Sequence, residues 1–523
     1  MRIVHTPQMS FGQVDISMIK LDPRSRDDIP AILVGLQHIY VTPELHNSVF
    51  DIIQQLIPKQ RGHLTSNEDA NKNVSSTLGR PGMEQWKILV LGVLRLGLNT
   101  DYDRIHELAN NHNTIRQMLG HGDWCDDTQY SLQAIKDNLM LFTPEILDQI
   151  NQEVIKSGHT LVKKSQKDGP TEKNKDSVCQ DEKLISEKLQ GRCDSFVLET
   201  NVHFPTDISL LFDAVRKSII ESGRLAALYE LTGWRQFKNN IRLFKKQYRR
   251  IQILKHSTSK DEDKKSQRAE LIKTEYMTYI EMAEKWFNLS EQAIEQLKDK
   301  GIADYELIQL EQYQYYADIL SKQVYRRVIN EEVIPHSEKI FSIFQPHTEW
   351  ISKGKAGVPV ELGLRVCIME DQHQFILHSK VMEKITDDKI AVEMVTETQK
   401  RFPNLVSVSF DKGYHSKSNQ KELKEHLERV VLPKKGRLSE ADKLREGSDE
   451  FKKLRNKHSG VESAINGLEQ GGLDVCPDHG IHGFKRYVSL AVLSRNIKRV
   501  GTIIRQQAKE KEARKRGQYK KAA

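Results

Sequence analysis

The sequence predicts an α/β protein in which helices flank a mixed sheet, with helical regions added to it. From Gly354 onward, strand-like and helix-like segments alternate, which is typical of an α/β core. Residues 29–155 carry apolar side chains three and four positions apart, which predicts an all-α N-terminal domain. Residues 208–345 are also helical in pattern and contain few glycines or prolines, which predicts a large α-helical insertion.

The successive segments of the predicted α/β core can each be assigned to a strand or a helix. Two segments, ELGLRVCIME and QFILHSKVME, predict a hairpin around Asp371 to His373. After the hairpin we expect DKIAVEMVTETQKR as a helix, LVSVSF as a strand, SNQKELKEHLE as a helix, VVLP as a short strand, and a last helix that carries Glu462. This order of strands and helices predicts a mixed sheet.

Length and composition suggest several domains in the 523-residue chain, because roughly 100 to 200 residues make one domain. The polar and charged stretch after residue 156 predicts a linker or loosely ordered loop. The N-terminal helices could bind DNA, with a helix-turn-helix component, or serve only as a dimerisation scaffold. The predicted divisions are 1–156 (helical N-terminal domain), 157–190 (linker), 191–207 and 346–505 (α/β core), 208–345 (insertion), and 506–523 (basic C-terminal tail).

Positive charge is concentrated in two places, although the net charge is only +8. Residues 242–255 contain six basic residues, of which Lys245, Lys246, Arg249 and Arg250 are candidates for contact with DNA phosphates. A solvated helix face is the alternative interpretation. Residues 509–521 carry seven Lys or Arg and two Glu, which suits a polyanion or a solvated tail.

The cysteines and the apolar runs indicate the cellular compartment in which the protein is expected. The five cysteines are scattered and form no CxxC, so neither a zinc ribbon nor a disulfide framework is expected. The N-terminus lacks a signal-peptide pattern, and the longest apolar run, at residues 88–98, is much shorter than the ~20 residues of a membrane helix. We expect a cytoplasmic protein that does not engage a membrane.

Three acidic residues stand in distinctive local settings. Asp411 ends a strand-like run, Asp194 adjoins the apolar run that starts at Ser195, and Glu462 flanks an apolar stripe at helical spacing. A turn-initiating Asp or a solvated Glu is the ordinary alternative. Three converging carboxylates would suit Mg²⁺, which prefers oxygen ligands, and a pair of such ions can promote phosphodiester cleavage.

These segments together resemble the DDE transposases of bacterial insertion sequences, whose catalytic domain has the RNase H-like fold. The resemblance covers most of the chain. GRPGMEQWKILVLGVLRL is similar to that group's N-terminal domain, and DSFVLETNVHFPTD and VSFDKGYHSKSN are similar to the strands that bear its two aspartates. HSGVESAINGLEQGGLD and GFKRYVSLAVLSRNIKRVG resemble the glutamate-bearing helix and the helix that closes the domain.

The resemblance implies cleavage at transposon ends and transfer of the freed 3′-hydroxyl into target DNA. It assigns Asp194, Asp411 and Glu462 as the catalytic residues and ligands of two Mg²⁺ ions, which Mn²⁺ could replace. It also implies double-stranded DNA as partner, a homodimer or higher assembly, and a nucleoid-associated bacterial location. A nuclease that cuts without joining, or a transposase-derived DNA-binding protein, remains the alternative.

The chain departs from a signature found in part of this group. There the glutamate belongs to Tyr-x2-Arg-x3-Glu-x6-Lys, whereas Arg455, His458, Glu462 and Glu469 occupy these positions here. We expect Arg455 and His458, together with Lys412 in the turn after Asp411, to contact DNA. The helical insertion accounts for the long separation between the two aspartates.

Overall fold

The chain folds into two compact units. The computed structural model describes residues 3–6, 9, 12–56, 82–122, 126–167, 187–256, 261–352 and 359–522, without the side chains of 164–167 and 516–522. The first unit contains the described residues up to Glu199 and from Leu364 onward, and the second runs from Thr200 to Gly363. Each unit has its own buried apolar core.

The described N-terminal part of the first unit is helical, as the apolar periodicity predicts. Side chains on all sides of the third helix are buried, because its sequence QWKILVLGVLRLG is apolar nearly throughout. The fourth helix starts at a cap in which Asp101 accepts a hydrogen bond from the Arg104 N–H. The helices are α1 (Asp28–Val41), α2 (Pro43–Ile53), α3 (Gln85–Gly97), α4 (Tyr102–Asn111), α5 (Asn113–Met118), α6 (Leu132–Leu139) and α7 (Pro144–Lys167).

A mixed sheet forms the centre of the first unit. The strands of the sheet are β1 (Leu189–Thr200), β2 (Glu349–Ser352), which belongs to the second unit, β3 (Val360–Glu370), β4 (Ile376–Met382), β5 (Leu405–Phe410), β6 (Arg429–Val431) and β7 (Val475–Cys476). Strands β4, β3, β1, β5 and β6 lie side by side in that order, and β7 pairs with β1. Strand β5 runs parallel to β1 and β6, whereas β3 and β4 form the predicted antiparallel hairpin.

The second unit is mainly helical. Its helices are α8 (Asp207–Leu228), α9 (Phe237–Lys255), α10 (Glu262–Asp299) and α11 (Asp304–Val328). They pack around aromatic side chains, with the rings of Phe244 and Tyr279 stacked 4.6 Å apart. Helix α8 starts at a capping box formed by Thr206 and Ser209. Strand β2 pairs with the beginning of β3 in this unit.

The remaining helices complete the first unit. They are α12 (Asp387–Arg401), α13 (Lys417–His426), α14 (Glu440–Gly447), α15 (Asp449–His458), α16 (Gly460–Leu468) and α17 (Gly480–Ala522). Glycines allow α1 and α17 to cross closely, because a Cβ at Gly35 would lie 2.2 Å from the Ile497 carbonyl oxygen. A Cβ at Gly501 would lie 1.8 Å from the carbonyl oxygen of Ala31.

Three predicted divisions differ from the structure. Residues 157–167 belong to α7, so the linker predicted for 157–190 does not begin at 157, and Leu189 already belongs to β1. Residues 168–186 of that predicted linker lie outside the described residues. The helices of the predicted N-terminal domain pack into the same unit as the sheet. Helix α17 continues through residue 505, so the predicted tail 506–523 does not start at a break in the backbone.

Among the described residues, no helix combines sufficient length with sufficient apolar character to cross a bilayer.

Candidate active site

The two aspartates lie on adjacent parallel strands. Cys193 of β1 is paired with Phe410, the last residue of β5, so the following residues, Asp194 and Asp411, continue the same register. Neighbouring strands are about 4.8 Å apart, and the two residues therefore lie side by side. Asp194 lies within β1 rather than at its start, because the strand already begins at Leu189. Asp411 is exposed at the strand end, where ligand-binding groups of α/β sheets gather.

Glu462 is carried by α16, a short helix separated from α15 by Ser459. The predicted helical pattern is therefore interrupted at the Ser459–Gly460 step. Val461, Ala464 and Leu468 are buried, whereas Glu462 is exposed on the other side of the helix. The apolar face of α16 thus fixes the direction in which Glu462 points.

The carboxylates act on one another electrostatically. Burial raises the pKa of Asp194 to about 6, and the negative charges of Asp411, Asp387 and Glu462 also raise it. The Ser195 backbone N–H donates to Asp194 Oδ1 at 2.8 Å and opposes this rise. Asp411, Asp387 and Glu462 therefore lie within electrostatic range of Asp194. The structure therefore brings the three predicted acids into one electronegative cluster.

A fourth carboxylate, which the sequence did not predict, belongs to this cluster. Asp387 begins α12, and its Oδ1 accepts a 2.6 Å hydrogen bond from the Ser195 hydroxyl. Its negative charge contributes to the raised pKa of Asp194. Acidic residues in the first turn of a helix are common because they interact favourably with the helix dipole. The sequence context therefore gave no signal that separated Asp387 from an ordinary helix start.

His458 contacts the sheet at Ser409 and lies within electrostatic range of two of the acids. Its Nδ1 is 3.0 Å from the hydroxyl oxygen of Ser409, and its Nε2 is buried without a hydrogen-bond partner among the described residues. Burial lowers the pKa of His458, although the charges of Asp411 and Glu462 oppose the change. The imidazole is therefore neutral at physiological pH and retains an unused nitrogen beside the acids.

The other predicted DNA contacts fall into two groups. Arg455 on α15 and Lys412 after β5 are exposed residues of the first unit. Lys245, Lys246, Arg249 and Arg250 are exposed on α9 of the second unit, and Arg250 forms a 2.8 Å ion pair with Glu275.

A buried layer of charge supports α16. Glu370, which is 1% exposed, lies 3.5 Å from an Arg192 nitrogen and 3.8 Å from an Arg495 nitrogen. A Cβ at Gly460 would lie 1.6 Å from Arg192 Nη1, and a Cβ at Gly467 would lie 2.3 Å from Arg495 Nη1. The two glycines are two helical turns apart and therefore share one face of α16. Helix α16 therefore packs against the guanidinium groups of Arg192 and Arg495 at its two glycines, where no side chain separates the helix from them.

The donor chemistry of the cluster suits a divalent cation. Asp194, Asp411, Glu462 and Asp387 offer oxygen ligands and repel one another, which a hard cation would relieve. Within the described parts of the chain, no group of three or more His, Cys, Asp or Glu side chains is arranged to hold a metal ion. Coordination of an ion would therefore require these carboxylates to move closer together.

Comparison with known proteins gave no relatives. No protein-family model matches the chain, and no match was found among curated proteins or solved structures.

Proposed function

We propose that this protein is a DDE transposase, a metal-dependent enzyme that cuts and joins DNA and is built on an RNase H-like core. The observation that carries the proposal is the electrostatic cluster of Asp194, Asp411 and Glu462, which come from two adjacent strands and one helix. Acidic clusters of this kind attract hard cations, and hard cations are the usual agents of phosphodiester cleavage.

The arrangement of the sheet supports an RNase H-like core. The order is β4, β3, β1, β5, β6, with a hairpin on one side of β1 and parallel strands on the other. The Gln190 backbone N–H donates to the side chain of Gln372, while Cys193 contacts Cys367, so β3 runs antiparallel to β1. The first aspartate then lies on the central strand and the second at the end of its parallel neighbour, as the resemblance implies.

Each acidic residue has a distinct role in the proposed site. Asp194 and Asp411 would hold Mg²⁺ or Mn²⁺ between them, and Glu462 would complete one of two ion positions. The bound ions would activate a water or 3′-hydroxyl and stabilise the leaving oxygen. The Ser195 hydroxyl orients Asp387, whose negative charge strengthens the attraction of the cluster for cations.

The surrounding cations suit the DNA backbone. Arg455 and Lys412 are exposed in the same unit as the acids, and Lys245, Lys246, Arg249 and Arg250 are among the exposed basic residues of α9 in the second unit. Lys and Arg provide the phosphate contacts that position a protein on DNA. Because two transposon ends must be joined, the active form would be a homodimer or a higher assembly on double-stranded DNA.

The proposal is tested with labelled duplexes that contain the DNA flanking the reading frame. In Mg²⁺ or Mn²⁺ the protein should nick these duplexes and join the ends to a target plasmid. Asp411→Asn and Glu462→Gln should each lower cleavage at least a thousandfold while DNA binding stays within about threefold, because removal of catalytic groups costs several orders of magnitude in rate.

Glu425→Gln is the matched control, because Glu425 is an exposed glutamate on α13 of the same unit. It should cleave at the rate of the unaltered protein. Cleavage without joining would assign a nuclease, and binding without cleavage would assign a transposase-derived DNA-binding protein. Undiminished cleavage by Asp411→Asn would remove Asp411 from the site and refute the DDE mechanism.

A further inference from the structure

A cavity with basic side chains in its wall lies in the first unit, along α17. It has a volume of about 310 Å³ and is bounded by the end of α3, the end of α16 and the turn between β3 and β4. Arg495, Lys498, Arg499 and Thr502 line it from α17. Because these residues are spaced three and four apart, they form one face of the helix.

The positive charge in this cavity is not fully balanced. Asp28 alone carries a carboxylate among the described residues that line the cavity, and it lies 2.8 Å from Lys498 Nζ. Arg499 donates from Nε to the neutral carbonyl oxygen of His373 at 3.0 Å, and the carboxylates of Asp371 and Glu370, which do not line the cavity, also act on it. Among the lining residues, the three cations Arg495, Lys498 and Arg499 therefore face one carboxylate, that of Asp28.

Arg495 is only weakly paired as well. Its nearest carboxylate, Glu370, lies 3.8 Å away, and its Nε is buried without a hydrogen-bond partner among the described residues. Burial lowers the pKa of both Arg495 and Arg499, so the surroundings penalise their charges. Guanidinium groups remain protonated in proteins, and the penalty is best removed by an anion.

We propose that this cavity binds a small oxyanion of the phosphate class, either free phosphate or the phosphate tail of a nucleotide. Guanidinium forks match phosphate oxygens, and the amides of Gln374 and Gln470 add neutral donors to the wall. A volume of about 310 Å³ is that of a small-ligand site. Gly467 and Leu468 of α16 also line the cavity, so an occupant would buttress the helix that carries Glu462. The inference does not depend on the proposed function.

Calorimetric titration and thermal unfolding of the full chain test the proposal at constant ionic strength. Orthophosphate or ATP without added magnesium should bind saturably with a stoichiometry of one and raise the melting temperature, whereas chloride and adenosine should not. A stronger response to ATP than to orthophosphate would identify a nucleotide as the source of the phosphate. Arg499→Gln should weaken binding at least tenfold, because charge-assisted hydrogen bonds contribute most to such sites.

Lys509→Gln is the matched control, since Lys509 is an exposed cation farther along α17. It should bind phosphate like the unaltered chain. Thr502→Glu provides a test that does not remove a buried charge, because it adds a carboxylate at the exposed rim of the cavity. This variant should melt higher without phosphate and lose the response to phosphate. Equal responses of the Arg499 and Lys509 variants, or a response to duplex DNA alone, would overturn the proposal.

Discussion

At the scale of single residues, Glu370 shows how burial and ion pairing compete. Its neighbours Arg192, Arg495 and Arg499 favour the ionised carboxylate, whereas burial and Asp371 oppose ionisation. Burial prevails and raises the pKa of Glu370 to about 7, because both ion pairs are long and Oε2 lacks a hydrogen bond among the described residues. The fold therefore favours the protonated form of Glu370.

Glu370→Gln should consequently change how stability depends on pH. The pKa of Glu370 is higher in the folded state than in the unfolded state, so the protonated side chain favours folding. This contribution to stability is complete below about pH 4.5 and is lost as the pH rises through 7. The rise in pKa from 4.5 to about 7 corresponds to at most ~3 kcal/mol. Urea unfolding should show equal stability of the variant and the unaltered protein at pH 4.5, and a more stable variant at pH 8.

The exposed Glu425→Gln variant is the control, and its stability relative to the unaltered protein should be the same at both pH values. A difference for Glu370→Gln that does not change with pH would contradict the assignment of the raised pKa to Glu370.

The sequence predicted some residues of the candidate site and not others. Asp194 and Asp411 could be selected because each adjoins a strand-like apolar run, and such positions are rarely acidic without a reason. Asp387 could not be identified as a site residue from the sequence, because acidic residues are common in the first turn of a helix. The pairing of Glu370 with Arg192 and Arg495 depends on the tertiary packing of β1, β3 and α17, which no local pattern contains.

At the scale of elements, α16 depends on two glycines for its position. Arg192, which lies under Gly460, also donates from Nη2 to the Asp371 carbonyl oxygen at 3.1 Å, so its guanidinium cannot move without losing contacts. The helix that carries Glu462 is therefore coupled to the charged layer beneath it.

Gly460→Ala should destabilise the first unit by about 1–3 kcal/mol, the usual cost of overpacking, even though alanine favours helices. Gly447→Ala in α14 is the matched control, because a Cβ there meets nothing within 4 Å. It should be neutral or stabilising in chemical unfolding. Trimming Arg192 to alanine should remove most of the cost of Gly460→Ala, and strictly additive effects in this double-mutant cycle would contradict the proposed contact.

Most elements were predicted correctly as helix or strand, but the boundaries of some helices were not. The hairpin β3–β4, α12 and β5 follow strong apolar patterns, and the structure confirms all three. The polar composition after residue 156 suggested a linker, yet α7 continues to Lys167. Helix α17 similarly continues beyond residue 505, where Gln507 donates to the Leu161 carbonyl oxygen of α7 at 3.2 Å. Such tertiary contacts can extend helices into polar sequence, where the apolar pattern gives no indication.

At the scale of the whole molecule, the two units have separate apolar cores. The core of the first unit draws its residues from both sides of the second unit in the sequence, whereas the core of the second contains residues between Ile208 and Ile343. The second unit also begins and ends at neighbouring points, because the Thr200 hydroxyl donates to the Leu362 carbonyl oxygen at 3.2 Å. The two ends of the second unit therefore lie close together.

Replacing residues 200–363 by a four-residue turn that contains Asn-Gly should therefore yield a folded first unit. Short turns of this type join adjacent antiparallel strands, and the acids at 194, 411 and 462 all remain. The shortened protein should unfold cooperatively on heating and bind Mn²⁺ with an affinity within about threefold of the full chain, as measured by electron paramagnetic resonance. Introducing Asp194→Asn into the shortened protein should weaken Mn²⁺ binding at least tenfold. If the shortened chain unfolds without cooperativity, the core of the first unit is not sufficient for folding. If the shortened chain folds but Asp194→Asn does not change its affinity for Mn²⁺, Asp194 is not part of the metal site.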